Sequence, residues 1–404
     1  MFIIYLKRRC IELPEVASKD LCTGCTACAS ICPQKCICMT EDIDGFTYPK
    51  IANEALCISC GACEQICPIL NQIEHKEFLT KAYAALSKSD LLRMESSSGG
   101  IFSELSKIVI QSRGIVYGAS YDKNNSVEHI GVDNIDDLGK LRGAKYSQSN
   151  LGNSFLTIKK QLDSGINVLF SGTPCQIGGL KAFLKKDYEN LLCIDFVCHG
   201  VPSPLVWKKY VNYRAKIDDN SNSPDYINLR NKESGWSKYS YSVEFHYTSG
   251  KRYICNNSED VFMKLFVNNY ILRRSCSACH FKGYGRFSDI TLGDFWGIWD
   301  INSEMDDNKG TSLVLINSLK GEELFRSASG NIKSSQVTLE QASIMNPSLL
   351  QSSHPHSSRD KVLSEIIQNG FETVIPLFQS NQSVKTLLPV KIRNMLSRLK
   401  KKRR

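Results

Sequence analysis

Cys22-x2-Cys25-x2-Cys28-x3-Cys32-Pro33 decides the reading of this chain, because the same pattern returns 35 residues later as Cys57-x2-Cys60-x2-Cys63-x3-Cys67-Pro68. Three closely spaced thiolates wrap one face of a cubane [4Fe–4S] cluster, and in a paired arrangement the fourth ligand comes from the other repeat. The spacing therefore assigns Cys22, Cys25, Cys28 and Cys67 to one cluster, and Cys57, Cys60, Cys63 and Cys32 to a second. Gly24 and Gly61 let the loops close around the cage, and Pro33 and Pro68 end each loop by fixing φ. Structural zinc favours two separate Cys-x2-Cys pairs around one tetrahedral ion. Disulfides would need an oxidising compartment.

Working outward, residues 1–18 read as a lead-in and residues 19–72 as a bacterial-type ferredoxin module with too little core to fold without its metal. Cys10, Cys36 and Cys38 fall outside both triplets and read as packed or unligated thiols. The first residues, Phe2 to Leu6, are too short for a signal-peptide core and are followed, not preceded, by Lys7-Arg8-Arg9. Seventeen cysteines without such a signal point to a reducing cytoplasm. No run of 18 apolar residues predicts a transmembrane helix.

The formal charge of +9 is concentrated at one end: Lys391 to Arg404 holds eight Lys or Arg and no acid, and without them the net charge is +1. A nearly neutral body disfavours a nucleic-acid partner. In the tail, Ile392, Met395, Leu396 and Leu399 follow helical spacing among the basic residues. That pattern suits peripheral contact with an anionic membrane surface at its inner face. The simpler alternative is a solvated terminus.

After a polar connector from Asn71 to Thr80, Ala82 to Leu86 reads as a strand. Ser96-Ser97-Ser98-Gly99-Gly100 then opens a helix with Ile101, Leu105, Ile108 and Val109 on one face. Free N–H groups at such a helix start suit a phosphate, although a simple N-cap reads the same way. A strand follows from Ile115 to Ala119, and no G-x-G-x-x-G accompanies it, which argues against a standard dinucleotide fold.

Val168 to Phe170 and Leu191 to Val197 are apolar strands that end in Ser171-Gly172-Thr173-Pro174-Cys175-Gln176 and Cys198-His199-Gly200-Val201-Pro202. Cys175 and Cys198 thus stand where α/β sheets place their ligands, at carboxyl ends of strands. Tyr241 to Tyr247 alternates and turns at Ser249-Gly250, a hairpin returning through Tyr253. With Cys276-x2-Cys279 the two strand-end thiols make a third four-cysteine site, for which spacing leaves zinc and iron both open. Cys193 and Cys255 read as core, and His199 as a structural histidine.

Together these segments resemble the beta-subunit family of coenzyme F420 hydrogenases and dehydrogenases. The resemblance rests on Ser98-Gly99-Gly100, Arg142-Gly143-Ala144-Lys145-Tyr146, Ser171 to Gln176, Cys198 to Pro202, Gly235-Trp236, Cys276-x2-Cys279 and Asp289-x-Thr291-Leu292-Gly293-Asp294-Phe295-Trp296-Gly297. It covers about residues 19–345. Ala144 and Asn231 stand where members often carry Ser and Asp.

The resemblance implies an α+β and α/β multidomain chain, a dicluster ferredoxin module followed by a mixed α/β flavin-binding core. Its core parts would be residues 81–154, with the flavin loop, and 155–345, with a third [4Fe–4S] cluster on Cys175, Cys198, Cys276 and Cys279; beyond the resemblance, residues 346–404 read as a helical, basic tail. It also implies FAD, with Ser98, Gly99, Gly100, Lys145, Tyr146, Thr173, Pro174 and Gln176 as candidate cofactor-binding residues. Lys145 and Asp294 are the catalytic candidates. The expected activity is an oxidoreductase linking a ferredoxin-like carrier or partner subunit, through the clusters and FAD, to coenzyme F420 or another small organic acceptor. The alternatives are a non-catalytic electron-transfer subunit of a larger redox complex and a redox-sensing protein.

Overall fold

A computed structural model describes residues 17–71 and 78–379. The lead-in before residue 17, with Cys10, most of the connector, and the basic segment from 380 to 404 lie outside the described residues, and with that segment the proposed membrane contact.

The strands are β1 (Ile37–Glu41), β2 (Thr47–Ile51), β3 (Lys81–Ser87), β4 (Ile115–Tyr121), β5 (Val127–Val132), β6 (Val168–Ser171) and β7 (Leu191–Phe196). They continue with β8 (Tyr226–Asn231), β9 (Ser242–His246), β10 (Arg252–Asn256), β11 (Ile290–Asp294), β12 (Ser312–Ile316) and β13 (Ile332–Val337). Eight of them form one mixed sheet in the order β13-β3-β12-β11-β7-β6-β4-β5. Its centre, β4-β6-β7-β11, is parallel, and the flanking pairs are antiparallel. Every residue of β12 is buried, as a strand covered on both faces requires. Because β4 pairs with β6, the parts on either side of residue 155 share this sheet instead of forming separate bodies.

The parallel centre puts the carboxyl ends of β6, β7 and β11 along one edge, where Cys175, Cys198 and Asp294 follow. Ser312 of β12 lies opposite both Asp294 of β11 and Ala85 of β3. The chain after β3 therefore delivers the Ser96–Gly100 loop to the same edge.

A second sheet, β10-β9-β8, packs with the Pro204–Asp219 helix. Their shared core holds Trp207, Tyr210, Phe245 and Phe262, and also Val362, Leu363, Ile366 and Phe371. Within residues 346–379 the Arg359–Asn369 and Ile375–Gln379 segments are helical, and the apolar face of the Arg359–Asn369 helix closes this core.

The cysteine-rich module is likewise less separate than its composition suggests. Beyond its β1–β2 hairpin, Ala27 is fully buried in one apolar cluster with Phe155, Ile177 and Leu180 of the core. Ser203 Oγ donates to the Asp44 carbonyl at 2.6 Å. Arg273 is 1% exposed and donates from the core to the carbonyls of Cys22 at 2.8 Å and Thr47 at 3.0 Å.

Candidate cluster and cofactor sites

The two cysteine loops repeat each other in backbone as well as in sequence. Gly24 and Ser59, at matching positions, have φ of 68° and 50°; Thr26 and Gly61, at the next matching pair, have 66° and 68°. Each loop therefore needs two left-handed residues and supplies glycine at only one of them. Holding Thr26 there costs on the order of 1–2 kcal/mol, a cost that a bound cluster can offset.

Burial and the neighbouring Cys22 and Cys67 push the Cys25 thiol up to about 11. Cys28 rises for the same reasons, with Cys25 added to its neighbours. Cys22, Cys25, Cys28 and Cys67, which come from both repeats, thus lie close enough to act on one another's charge. At the other end Cys57 and Cys63 are buried, with Cys32 and Cys36 packed around them, and Cys60 is exposed. Burial works to raise the Cys32 thiol, but the Cys36 thiol and backbone N–H groups of Cys36, Gln34 and Ile37 lower it on balance. A thiol stabilised as thiolate suits a metal ligand. Cys38 is exposed on β1, its sulfur 3.3 Å from Thr40 Oγ1.

The third set also converges. Thr173 and Gln176 form a capping box at the start of the Pro174–Leu184 helix, with Pro174 in the first turn. Cys175 sits in that first turn, where the helix dipole favours negative charge. Burial raises Cys175 well above its ordinary value, and the charges of Cys279, Cys198 and Cys276 act on it. Cys198 is raised to about 12 by burial, with Cys276 and Cys279 adding and Lys282 opposing. Among the described residues no set of three or more His, Cys, Asp or Glu is arranged to hold a single metal ion. Four thiols that act on one another's charge form one set here, a donor set that fits either a zinc ion or an iron–sulfur cluster.

Beside the third set lies a cavity of about 1020 Å³, lined by Cys175, Cys198, the Gly100–Ser103 turn, Arg142 to Ser149, Arg230 and Asp294. The volume is at the upper end of the range for small-molecule sites. Gly100, with φ of 84°, begins the Ile101–Gln111 helix without a side-chain cap, so the first N–H groups there are open to a ligand. Ser98 and Gly99 hold that loop to the sheet: Ser98 Oγ donates to Thr311 O at 3.0 Å and Gly99 N to Ser312 Oγ at 2.9 Å. A Cβ on Gly99 would meet Ala85 O at 2.6 Å. Thr173 and Gln176 are spent on the helix cap, Gln176 also donating to Ser149 Oγ at 2.9 Å.

Lys145 Nζ donates to the carbonyls of Arg142 at 2.8 Å and Gly143 at 3.3 Å, leaving one proton for the cavity. Lys145 lines the cavity, and burial lowers it to about 7. Tyr146 packs on Phe266 with ring centres 4.6 Å apart. Asp294 pairs with the buried Arg230, Nη2 to Oδ2 at 3.0 Å, and Arg230 also stacks on Tyr241 at 4.0 Å. The contact with Asp294 is an ion pair without hydrogen-bond alignment, so Arg230 Nε and Nη2 remain unsatisfied.

Several other buried polar atoms on the cavity wall also lack partners. They include His129 Nδ1, Ser147 Oγ and Asp195 Oδ1. His129 Nε2 faces the Ser171 carbonyl at 3.0 Å. The Nε2–H tautomer that this requires leaves Nδ1 as an acceptor. Orphaned donors and acceptors around a large, partly apolar cavity fit a flavin nucleotide.

Neither His129 nor Arg230 is singled out by the sequence. His199, read there as structural, has a hydrogen-bond partner on each ring nitrogen, Asn269 at 2.7 Å and Ser348 at 3.4 Å. The Gly-Trp and Gly-Asp-Phe-Trp-Gly motifs meet, Trp236 stacking on Trp296 at 4.8 Å.

Residues 166–341 match the family model for the C terminus of the coenzyme F420 hydrogenase/dehydrogenase beta subunit. Residues 21–70 match that for a 4Fe-4S dicluster domain. These spans hold all twelve candidate ligand cysteines. No curated protein matches the chain. A chain of the F420-reducing [NiFe] hydrogenase complex from Methanosarcina barkeri, in a xenon-derivatized structure, is 16% identical; the match covers 76% of this chain and 91% of that one, with a TM-score of 0.43. Residues 166–341 are thus similar to the C-terminal part of coenzyme F420 hydrogenase/dehydrogenase beta subunits, and they follow a 4Fe-4S dicluster domain at residues 21–70.

Proposed function

We propose that this chain is an iron–sulfur flavoprotein oxidoreductase, working in the cytoplasm between a ferredoxin-like carrier and a small organic hydride acceptor, coenzyme F420 or another molecule. One observation carries the reading: a cavity of about 1020 Å³ borders two thiols of the third cysteine set and an uncapped helix start at the same edge of the sheet. A flavin bound there would supply the exchange between single electrons and a hydride. The uncapped turn at Gly100 and the Lys145 ammonium would hold its phosphates, Arg230 would place a fixed positive charge, and Asp294 would hold or release a proton. Among the described residues no helix is long and apolar enough to cross a membrane.

The route from module to core follows from one helix. A Cβ on Gly179 would lie 2.7 Å from Cys25 Cβ and 2.9 Å from its sulfur. Cys175 is four residues earlier on the same face, about 6 Å along the axis. The first cluster's ligand set and the third thus touch one helical turn. The exposed Cys60 puts the second set on the outside, as the place where a carrier would dock.

Anaerobically purified protein is expected to hold about twelve irons in three cubanes and one extractable FAD, and to turn over an organic acceptor. Cys198→Ala should remove about four of the irons and leave the N-terminal EPR signals in place. Iron and sulfide near eight without flavin would reduce the chain to an electron-transfer subunit.

Lys145 makes the flavin reading testable by pH. Its value of about 7 lies below that of an unfolded lysine, about 10.4. Between the two, the unfolded chain holds the proton and the folded chain does not. The penalty is therefore full below 7 and gone above 10.4, so flavin-free protein should gain stability as pH rises through that window. A bound phosphate raises Lys145 again, so FAD binding should take up a proton above pH 7. Affinity should then weaken by up to about tenfold per pH unit. Calorimetry at pH 8 in buffers of different ionisation enthalpy reads this directly. Binding without proton uptake would remove Lys145 from the phosphate.

A further inference from the structure

We infer that the second cluster site is built with five thiols, and that Cys36 is a spare ligand able to take the place of Cys32 on iron. The inference rests on reading Cys57, Cys60, Cys63 and Cys32 as the ligands of that cluster.

Cys36 is 4% exposed, and its sulfur lies 3.4 Å from that of Cys32. Cys57, another member of the set, borders it as well, and Cys36, Cys57 and Cys63 form one buried cluster. Cys36 is therefore wedged between two ligand positions and is not an ordinary core thiol. Its backbone is fixed independently of the loop, since Cys36 O accepts from Ala52 N at 2.8 Å just before β1 begins. Cys32, by contrast, ends the short Ala27–Ile31 helix, in the turn before Pro33. At 3.4 Å the two sulfurs are within reach of the same iron, so a side-chain rotation together with a small shift of the Cys32 turn exchanges them.

The arrangement belongs to one repeat only. Four residues beyond Cys67, the position equivalent to Cys36 holds Asn71, whose side chain donates to Glu64 O at 2.6 Å. The first cluster accordingly has no spare at the matching position.

The exchange is balanced without any redox partner. The Cys36 thiol gives up its proton and forms the iron–sulfur bond, the Cys32 bond breaks, and the released Cys32 thiolate takes up a proton. The benefit is retention: a cluster near the exposed Cys60 meets solvent and oxidants first, and a second thiol in contact recaptures iron that one ligand has let go.

Full-length protein, purified without oxygen, tests this by iron and sulfide content and by low-temperature EPR of the reduced form. Cys32→Ser is expected to keep its iron with an altered second-cluster EPR signal. The double variant Cys32→Ser, Cys36→Ala should lose about four irons. If Cys32→Ser alone loses as much as the double variant, Cys36 is no ligand. Cys63→Ala separates the two levels: if it and the double variant both keep full iron, the reading of the site as a cluster has failed.

A second arm does not depend on Cys32 variants folding. Cys36→Ala retains all four primary ligands, and under a chelator such as EDTA it should release second-site iron about threefold faster or more, against a barrier change of ~0.7 kcal/mol. Release at the wild-type rate overturns the inference even if Cys32→Ser is insoluble.

Discussion

Arg273→Ala is expected to detach the N-terminal module from the core. The guanidinium is fully buried between them, and donates to Cys22 O, Thr47 O and Gln148 Oε1 at 2.8, 3.0 and 2.9 Å. Its Nη2 also lies 3.9 Å from Cys22 Sγ, and Tyr48 packs against it at 4.1 Å. No carboxylate pairs with it among the described residues. A buried cation without a counter-ion is costly, unless negative charge sits close by, as a cluster bound through Cys22 would provide. Hydrogen bonds to a charged group contribute about 1.5–3 kcal/mol each, so losing three should destabilise by at least ~3 kcal/mol after allowing for non-additivity. The unfolding midpoint of the holoprotein should fall by roughly 5–10 °C. Arg273→Lys keeps the charge but not the fork, so it should recover only part. In a redox titration followed by EPR, one cluster signal should move to lower potential in Arg273→Ala while the others stay. A midpoint within about 1 °C of wild type, with all potentials unchanged, would show that the module is held by other contacts.

Gly179→Val should block passage between module and core while leaving the iron in place. Glycine in the middle of a helix costs about 1 kcal/mol relative to alanine, and the Pro174–Leu184 helix carries two in a row. Each has a neighbour that forbids a side chain: a Cβ on Gly178 would meet Phe281 at 2.4 Å, and one on Gly179 would meet Cys25 Cβ at 2.7 Å. Overpacking of this kind costs typically about 1–3 kcal/mol, released here by the module backing away. With a reduced ferredoxin as donor, stopped-flow should show the N-terminal clusters reduced at the wild-type rate. Reduction of the flavin should be slower by about tenfold or more, equivalent to ~1.4 kcal/mol of barrier. Flavin reduction at the wild-type rate would place the crossing point elsewhere.

Much of the architecture is legible locally. The strands at β3, β4, β6 and β7 and the β9–β10 hairpin follow from short apolar or alternating runs, and the Ile101–Gln111 helix follows from its periodicity. Local pattern does not reveal β5, β8 and β13, and β13 shows why. It is the sheet edge, with Ile332 its only buried residue, so its burial leaves little pattern to read. The C-terminal helices give no local sign of what they cover, because the faces that matter meet Tyr210 and Phe245, more than a hundred residues earlier.

By itself the sequence determined the dicluster domain, through its two cysteine repeats, and the strand-end positions of Cys175 and Cys198. A cluster binds through loops of three or four residues, and that geometry is written into spacing. Only the tertiary structure decided what joins the sites. Arg273 reads along the chain as one more surface cation, Gly179 as a weak point in a helix, and His129 and Arg230 as unremarkable strand residues. Cys36 reads as a stray thiol. Each acquires its role from a partner far away or across a turn, and such contacts leave no periodicity, because the chain meets itself there only after the sheet has formed.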